Sequence, residues 1–354
     1  MTRNSVWMVL PVLLLLVACV LTPVTPPVDE IPLTPTPTAA EPTLSPTATP
    51  LPVAAKINVE NLTTLQAENF DLPTWPAALL WPEEQRLLVV TNEDQGGLRL
   101  WELYLSPLRV VPQNELLYPA EVNVAGSVLA FAPDGSSMAV SAGDVLEVRR
   151  LDGTLLFSLP SPGLYGAEYD AGGEYLVSTS QTEWRALVWN VRSGQQLGSL
   201  TGFETAAPVY GVRLSPGARW AVWGARATLM AQELQSANFT AHLSYSDFVM
   251  DVDFLPNATQ MVVLVEGQWR LVDLATGGEL RSCPAAGVSE LAVSPDGQLL
   301  VGSGSGQTVF WGMGDCTPLA TLPEQVSRLS FSPDGRALVG VLQDGLTLRV
   351  WSVR

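Results

Sequence analysis

Histidine, cysteine and basic side chains are scarce in this sequence. Its 354 residues include one His, three Cys and 18 Lys or Arg against 35 Asp or Glu, which gives a formal net charge of −17. His242 alone cannot build a multi-histidine metal site, and a zinc centre needs several N or S ligands close together. The excess of acids disfavours nucleic acids as partners, because phosphate binding depends on Lys and Arg. A partner with a basic patch remains compatible with this charge.

Catalytic motifs are also missing. The chain has no G-x-S-x-G, H-E-x-x-H or C-x-x-C sequence, and no Gly-rich phosphate loop that carries Lys. Its densest acidic cluster, formed by Asp247, Asp251 and Asp253, lacks the looped spacing that gathers the 6–8 oxygen ligands of calcium. The sequence therefore predicts a protein without catalytic activity, metal or cofactor.

The N-terminus reads as an export signal. One Arg precedes an apolar run from Val6 to Ala18, which is too short for a membrane span of ~20 residues but fits a secretory signal. The run ends in Leu16-Val17-Ala18-Cys19, which resembles the lipobox of bacterial lipoproteins. The resemblance implies cleavage before Cys19 and lipidation of that residue. Residues 1–18 would then be the lipoprotein signal peptide. An ordinary signal peptide or an uncleaved anchor is the alternative, and each would export the rest of the chain.

A segment rich in Pro and Thr follows. Residues 20–55 contain ten Pro and eight Thr, which is too little apolar material for a packed core. Proline favours extended polyproline II. Residues 19–55 are therefore predicted to form a disordered, semi-rigid tether that holds residues 56–354 away from a membrane.

One eight-residue phrase then recurs seven times. The copies begin with alternating apolar positions and most end in Pro: WPAALLWP (75–82), GSVLAFAP (126–133), LYGAEYDA (164–171), VYGVRLSP (209–216), VMDVDFLP (249–256), VSELAVSP (288–295) and VSRLSFSP (326–333). Their spacing is 38 to 51 residues, and the alternation is that of a β-strand. A period of about 40–45 residues suits one four-stranded propeller blade.

Further strands follow each copy. Turns such as Asp296-Gly297 lead into a second strand, and a third strand often holds Trp, as in LRLWEL (98–103) and LRVWSV (348–353). These features resemble the WD-repeat family, and the resemblance implies an all-β, seven-bladed propeller with four-stranded blades. The Gly-His pair typical of that family is absent, and His242 lies in a fourth strand. We therefore expect this chain to lack the buried hydrogen-bond network that, in the family, is centred on the histidine of the Gly-His pair.

The ring needs a closing strand. The chain ends directly after a third strand, so the last blade lacks its fourth strand, while residues 57–67 precede the first blade without a partner. Family resemblance and strand counting both predict that this N-terminal segment completes blade 7.

Two columns of the repeat carry charge near the channel axis. One places Glu168, Arg213 and Asp253 at the same level of three successive blades. An unpaired buried Arg would be costly, so we predict a structural ion pair between blades. The second column contains Asp251, Glu290 and Arg328, which should lie at one mouth of the channel.

Aromatic residues gather in the loops of that same mouth. Loops before first strands and after second strands emerge together from a four-stranded blade, and large rigid side chains are typical anchors of protein interfaces. The candidate partner-binding face therefore consists of Trp75, Tyr165, Trp184, Tyr210, Phe248, Asp251, Glu290 and Arg328.

Two cysteines, Cys283 and Cys316, could form a disulfide in an exported protein. The repeat register places Cys283 near the end of a fourth strand and Cys316 in the turn before the next fourth strand. These positions lie near opposite ends of adjacent blades, so the register predicts a separation beyond the ~7 Å limit between bridged Cα atoms.

Together these patterns predict a monomeric propeller, lipid-anchored at Cys19 on the extracytoplasmic side of a bacterial cell envelope, that binds a protein partner. Two alternatives remain at this stage. One is a propeller hydrolase, such as a lactonase or a glycoside-acting enzyme, and the other is an envelope assembly component similar to TolB-like propellers.

Overall fold

The computed structural model describes residues 54–93, 97–105, 108–118, 128–200, 211–225, 227–234 and 240–353. All of them belong to one compact unit, residues 50–354. The predicted signal peptide, Cys19, nearly all of the tether and Tyr210 lie outside the described residues. Among the residues described, no helix is long and apolar enough to cross a membrane.

Seven four-stranded antiparallel sheets, the blades, make up the fold. An N-terminal strand, β1 (Leu65–Asp71), precedes them. Blade 1 consists of β2 (Pro76–Glu83), β3 (Arg86–Asn92), β4 (Leu98–Leu105) and β5 (Leu108–Tyr118). Blade 2 consists of β6 (Val128–Phe131), β7 (Ser137–Ser141), β8 (Val145–Arg150) and β9 (Leu155–Pro160). Blade 3 consists of β10 (Leu164–Tyr169), β11 (Tyr175–Ser180), β12 (Arg185–Asn190) and β13 (Gln195–Leu200).

The later blades repeat the pattern. Blade 4 consists of β14 (Gly211–Leu214), β15 (Trp220–Ala225), β16 (Thr228–Glu233) and β17 (Thr240–Ser244). Blade 5 consists of β18 (Val249–Phe254), β19 (Gln260–Val265), β20 (Gln268–Asp273) and β21 (Glu279–Pro284). Blade 6 consists of β22 (Glu290–Val293), β23 (Leu299–Gly304), β24 (Gln307–Gly312) and β25 (Pro318–Leu322). Blade 7 consists of β26 (Val326–Phe331), β27 (Ala337–Leu342) and β28 (Thr347–Val353), completed by β1. Two short 3-10 helices span Leu62–Thr64 and Pro216–Ala218.

The seven-bladed prediction is thus confirmed, and each copy of the repeated phrase provides the first strand of a blade. These first strands face the axis, since several of them contact the first strand of the next blade. The Ser-Pro-Asp-Gly turns explain why the phrase recurs. Ser294 is buried; its Oγ accepts a 2.9 Å hydrogen bond from the N–H of Leu299 and donates to Asp296. Ser332 forms the same contacts with Ala337 and Asp334 in blade 7.

The core is divided among the blades. The described residues form seven hydrophobic clusters, and each joins two neighbouring blades. One cluster packs Leu87 and Val89 of blade 1 against Val339 and Val350 of blade 7. A single sheet cannot cover both of its faces, whereas a ring of sheets covers each face with a neighbour. Burial in this fold therefore depends on ring closure.

Ring closure occurs at the predicted blade but with a different strand. Strand β1 pairs antiparallel with β28 from Leu65↔Val353 to Asp71↔Thr347. The sequence predicted residues 57–67, so only residues 65–67 fall in the strand. Between residues 58 and 61, local hydrogen bonds compete with strand pairing: Asn58 N–H donates to Asn61 Oδ1 (2.8 Å), and Glu60 N–H donates to Asn58 Oδ1 (2.9 Å).

The segment before β1 touches the sheet at one isolated bridge, Ala55↔Val353, and otherwise packs against the ring. Ile57 and Leu62 are 2% and 5% exposed and join the cluster between blades 6 and 7. The Ile57 N–H donates to the carbonyl of Gly335 at 2.9 Å. This segment therefore covers the turn side of the last two blades before the chain enters β1.

The two cysteines are bonded, so the predicted separation is wrong. Cys283 and Cys316 form a disulfide, with their Cα atoms 5.1 Å apart. The repeat register predicts the position of each cysteine along its own blade. It does not include strand twist, which turns each strand by about 20–25° from its neighbour. The outer strand β21 therefore runs across the turn of blade 6, where Arg281 donates to the carbonyl of Met313.

The same crossing recurs in other blades. A Cβ on Gly277 in blade 5 would lie 3.3 Å from Leu243 on the outer strand of blade 4. A Cβ on Gly194 in blade 3 would lie 3.5 Å from the Phe157 ring on the outer strand of blade 2. The disulfide thus fixes covalently a contact that the fold also makes elsewhere.

Candidate binding face and central channel

Exposed aromatic side chains mark one face of the propeller, at the loops before first strands and after second strands. Trp75 (56% exposed) precedes β2, Phe248 (57%) precedes β18, Tyr165 (46%) is the second residue of β10 and Trp184 (44%) lies in the turn between β11 and β12. We call these four residues the aromatic face. Tyr210, the fifth predicted member, lies outside the described residues.

Met250 also belongs with this surface, although the sequence analysis missed it. It is 58% exposed on β18, beside Asp251. A cavity of about 510 Å³ lies next to Met250, Tyr165 and Phe248, with buried Trp223 and Leu229 among its walls. Met250 lies at the register shift of β18 between Val249 and Asp251, so the alternation of the strand could not have found it.

Trp75 differs from the other aromatic residues in its support. A Cβ placed on Gly345, in the turn between β27 and β28, would overlap the Trp75 indole. The ring therefore lies directly on the backbone of blade 7. Because Trp75 belongs to the loop that joins β1 to β2, this contact also ties the closing segment to the last blade.

The first charged column holds one ion pair. Arg213 on β14 pairs with Glu168 on β10, across the boundary between blades 3 and 4. The side chain of Arg213 is 52% exposed and that of Glu168 is 24% exposed. The negative charge of Glu168 raises the pKa of Arg213, while burial raises the pKa of Glu168. The pair is therefore partly screened by water in the channel.

Asp253, the third residue of this column, does not join the predicted ion pair. Its Oδ2 accepts a 2.7 Å hydrogen bond from the N–H of Val293 in blade 6, and its Oδ1 accepts from Phe254 at 2.8 Å. Arg213 acts on Asp253 only through its longer-range field. A first strand has one edge without a strand partner, because it lines the channel, and Asp253 satisfies a donor on such an edge.

Two acids of the second column do the same. Asp251 Oδ2 accepts from the N–H of Leu291 at 2.8 Å, and Glu290 Oε1 accepts from the N–H of Leu329 at 2.7 Å. We call Asp251, Asp253 and Glu290 the carboxylate ladder, because each joins its blade to the next. The aligned columns predicted that these acids lie near the axis. They did not predict the hydrogen bonds to backbone N–H groups, because an unpaired backbone donor leaves no pattern in the sequence.

Burial shifts the titration of the ladder. It raises the pKa of Asp253 to about 7, and it raises the pKa values of Asp251 and Glu290 above their ordinary range. The carboxylates repel one another as well, since the charge of Asp251 further raises the pKa of Asp253. Among the described residues no group of His, Cys, Asp and Glu has an arrangement that could hold a metal ion.

The side chain of Arg328, the third member of the second column, does not pair with the ladder. It belongs to β26 and lines a different part of the channel, beside the first strands of blades 1 and 2. Glu290 influences it through its charge, but the Oε1 of Glu290 is engaged by Leu329. Glu290 also interacts with the backbone N–H of Arg328, so these two residues of the second column are neighbours although their side chains form no ion pair within 4 Å among the described residues.

Hydroxyl groups replace histidine in the interior of blade 3. Trp189 Nε1 donates to Ser178 Oγ at 3.0 Å, and Ser178 Oγ lies 3.0 Å from Ser161 Oγ. Trp101 Nε1 makes the equivalent bond to Thr91 at 2.9 Å in blade 1. His242 is exposed on β17, a fourth strand, as the sequence predicted.

Residues 277–311 match the family model described as WD domain, G-beta repeat. The matched segment runs from the turn before β21 to Trp311 in β24, and so spans the boundary of blades 5 and 6. The chain is a seven-bladed propeller in which this segment is similar to a WD repeat. No curated protein matches the chain significantly. The family match and the seven blades together support a WD-repeat propeller, a fold consistent with a protein-interaction scaffold.

Proposed function

We propose that this propeller is an extracytoplasmic scaffold, tethered to a membrane, that binds a protein partner on its aromatic face. The observation that carries the proposal is the exposure of four large aromatic side chains on one side of the ring. Protein interfaces gain most of their affinity from a few rigid anchors of this kind. The opposite side carries the short Ser-Pro-Asp-Gly turns, whose serines are directed inward.

The charge next to the aromatic face favours a basic partner. Asp251 lies on β18 beside exposed Met250, and both border a second cavity with Glu290 in the channel. With a net charge of −17, the whole chain attracts cations at long range. Such a field mainly raises the association rate and falls with added salt.

Export is supported by two independent features. The lipobox-like Leu16-Val17-Ala18-Cys19 sequence favours lipidation at Cys19. The Cys283–Cys316 disulfide favours an oxidising compartment, because cytosolic proteins rarely keep such bonds. A tether of residues 19–55 would hold the ring away from the lipid surface.

The partner can be sought by crosslinking in the native membrane, followed by pull-down and mass spectrometry. The protein captured is then titrated against the wild-type chain and the double variant Trp184→Ala, Phe248→Ala. We expect at least a hundredfold loss of affinity, since each residue would be an anchor. The matched control replaces Leu197 and Leu280, which are 51% and 52% exposed on outer strands, and should bind like the wild type. Equal affinity of the aromatic variant, in a folded state, would refute the proposed face.

Export has its own test. Membrane fractions of cells that express the wild-type chain or Cys19→Ala are compared after protease treatment of intact spheroplasts. We expect the wild-type protein to be membrane-bound and digested, and the variant to be released. If both the wild type and the variant are protected from protease, the propeller lies on the cytoplasmic side of the membrane and the proposal is wrong.

A further inference from the structure

The polar contacts between first strands are interrupted between blades 4 and 5. Glu168 and Arg213 join blade 3 to blade 4, and the carboxylate ladder joins blades 5, 6 and 7. In blade 4 the two column positions hold Gly211 and Arg213, neither of which supplies a carboxylate. The N–H groups of Val252 and Phe254 in blade 5 donate instead to the acids of their own strand. Among the described residues, no hydrogen bond therefore joins β14 to β18.

The cavity of about 510 Å³ lies at this interruption. Its lining includes residues of both β14 and β18, and its volume is within the range of ligand sites. The walls are mainly apolar, with partly exposed Val249 and Val252 and with buried Val222 and Leu229. An apolar cavity that solvent reaches favours an apolar occupant.

Two exposed side chains flank this cavity from bulged positions. Met250 in β18 and Tyr165 in β10 each lie where the register of the strand shifts, and a bulge can redirect a side chain away from its sheet. They are 58% and 46% exposed, and both border the cavity. At the same position of the repeated phrase, blades 6 and 7 carry Ser289 and Ser327. Bulky side chains at this position therefore coincide with the cavity.

The cavity adjoins a second one, of about 400 Å³, in the channel. The two share part of their lining, including Met250 and Asp251. Asp253 and Glu290 also line the second cavity, so its walls are polar and acidic. The charge of Glu290 is partly compensated by Arg328. An apolar cavity on the aromatic face thus leads into an acidic cavity in the channel.

The second cavity has more negative than positive charge. Arg213 lines it too, but the guanidinium of Arg213 pairs with Glu168. In the part of the chain that the structure describes, Asp251 and Asp253 form no ion pair within 4 Å. Each accepts two backbone N–H groups, and a carboxylate has about four lone-pair sites. Both acids can therefore still accept a hydrogen bond from a cationic ligand.

We propose that the two joined cavities bind a segment of the protein partner in which a large apolar residue is adjacent to a lysine. The apolar side chain fills the first cavity beside Met250 and Phe248, and the lysine ammonium pairs with Asp251 and Asp253 in the second. Lysine suits this path because its alkyl stem packs on apolar surface while its charged head stays in a polar environment. The inference rests on the proposed function, since it names the part of the partner that the aromatic face receives.

The test titrates blocked dipeptides into the full chain in a neutral detergent, followed by calorimetry. The probe is N-acetyl-phenylalanyl-lysine amide, whose blocked ends carry no charge. One analogue has norleucine in place of lysine, which removes the charge and keeps the alkyl stem, and the other has alanine in place of phenylalanine. We expect saturable binding of the probe in the millimolar range and about tenfold weaker binding of each analogue.

Two variants separate the contributions of the cavities. Asp251→Asn should weaken binding of the lysine dipeptide about tenfold and leave that of the norleucine dipeptide unchanged, whereas Met250→Ala should weaken both. The protein control, Asp315→Asn, removes an exposed acid in the turn between β24 and β25 and should bind both dipeptides like the wild type. Equal affinity of the wild type for the lysine and norleucine dipeptides, or an equal loss of both in folded Asp251→Asn, would overturn the proposal.

Failure of this site and failure of the proposed face give different results, because the dipeptide test needs no partner. If the folded wild type does not bind the lysine dipeptide but the captured partner loses affinity for the variant Trp184→Ala, Phe248→Ala, the two-cavity site is wrong and the aromatic face stands. If the dipeptide binds as expected but the partner keeps its affinity for that variant, the proposed face is wrong and the ligand chemistry of the cavities stands.

Discussion

Asp253 and Val293 are forty residues apart, and a 2.7 Å hydrogen bond joins the carboxylate of one to the N–H of the other. The separation equals about one repeat, so the bond links the same level of two successive blades. Asp251 with Leu291 and Glu290 with Leu329 repeat it at 2.8 and 2.7 Å. The acids near the channel axis therefore act as acceptors for backbone donors that a propeller leaves without strand partners.

The first prediction concerns pH. Because burial raises the pKa of Asp253 to about 7, the folded state holds its proton more tightly than the unfolded state, whose Asp pKa is near 3.9. The contribution of Asp253 is complete below pH 4 and is lost as the pH rises through 7, by at most about 4 kcal/mol. Urea unfolding from pH 5 to 9 should therefore show stability falling as the pH rises.

The variant Asp253→Asn isolates this contribution. It should be less stable than the wild type at pH 5, because the NH2 group of Asn would face one of the N–H donors of Val293 and Phe254, whereas the hydroxyl oxygen of the protonated acid can still accept. The difference should shrink or reverse at pH 9, where the wild type carries a buried charge. Asp247→Asn, which changes an exposed acid, is the control and should follow the wild-type curve. A constant difference between Asp253→Asn and the wild type would contradict the role of Asp253.

The second prediction concerns Arg213 and Glu168. Removal of the cation by Arg213→Met leaves Glu168 without its partner, and we expect a loss of about 1 kcal/mol in the free energy of unfolding, small because half of the Arg213 side chain is exposed. The double variant Arg213→Met, Glu168→Gln should recover part of the loss. A double-mutant cycle at low and high salt measures the coupling. Zero coupling at low salt would show that the pair does not stabilise the ring.

The third prediction concerns the disulfide. Its two cysteines are 33 residues apart, and a bond that closes a loop of this size stabilises by about 4 kcal/mol in the chain-entropy account. A reductant should lower the urea midpoint of the wild type and leave that of the double variant Cys283→Ala, Cys316→Ala unchanged. Thiol titration of the unreduced, denatured chain should detect neither cysteine. Two free thiols at these positions would remove this support for an oxidising compartment.

The fold could be predicted from the sequence because each Pro-Asp-Gly turn fixes the register of its blade. The copies at 288–295 and 326–333 therefore locate their strands within two residues of the observed bounds. The closing strand was misplaced because it has no such turn. In residues 57–64 the Asn58 and Asn61 side chains decide the local structure through bonds to the backbone, and an apolar pattern does not reveal such bonds.

The channel was less predictable for a different reason. A column of aligned residues gives the level of each side chain but neither the strand twist that brings Cys283 to Cys316 nor the backbone donors that engage Asp253. The bulge and the positive φ at Arg328 leave no trace in the alternation of β26. The location of the aromatic face was easier to predict, because the number of strands between two loops decides on which side of the propeller each loop lies.

The fourth prediction concerns ring closure. Deletion of residues 1–53 keeps every described contact and should not change the melting temperature. Deletion of residues 1–64 also removes the buried Ile57 and Leu62, and each large apolar side chain lost from a core costs about 2–5 kcal/mol. Deletion of residues 1–71 removes β1 as well and exposes the edge of β28, so we expect aggregation or a non-cooperative melt. Equal melting of all three would show that β1 does not close the ring.

The last prediction separates packing from docking on the aromatic face. Trp75 and Phe248 are almost equally exposed, at 56% and 57%, but the Trp75 indole lies on Gly345 across the junction of blades 7 and 1. Trp75→Ala should therefore lower the free energy of unfolding by about 1 kcal/mol, and Gly345→Ala should lower it too, because the new methyl group would displace the ring and Gly345 has a φ of 72°.

Phe248→Ala should leave the stability within about 0.5 kcal/mol of the wild type, as for most surface positions. Urea unfolding of the three single variants measures these differences before any binding experiment. If Phe248→Ala destabilises the protein as much as Trp75→Ala does, the aromatic face consists of packing residues, and its exposure would no longer support a docking surface. If the order holds, Phe248 and Trp184 are the correct positions for the affinity test, since their loss removes contact area for a partner without loosening the blade junction that Trp75 secures.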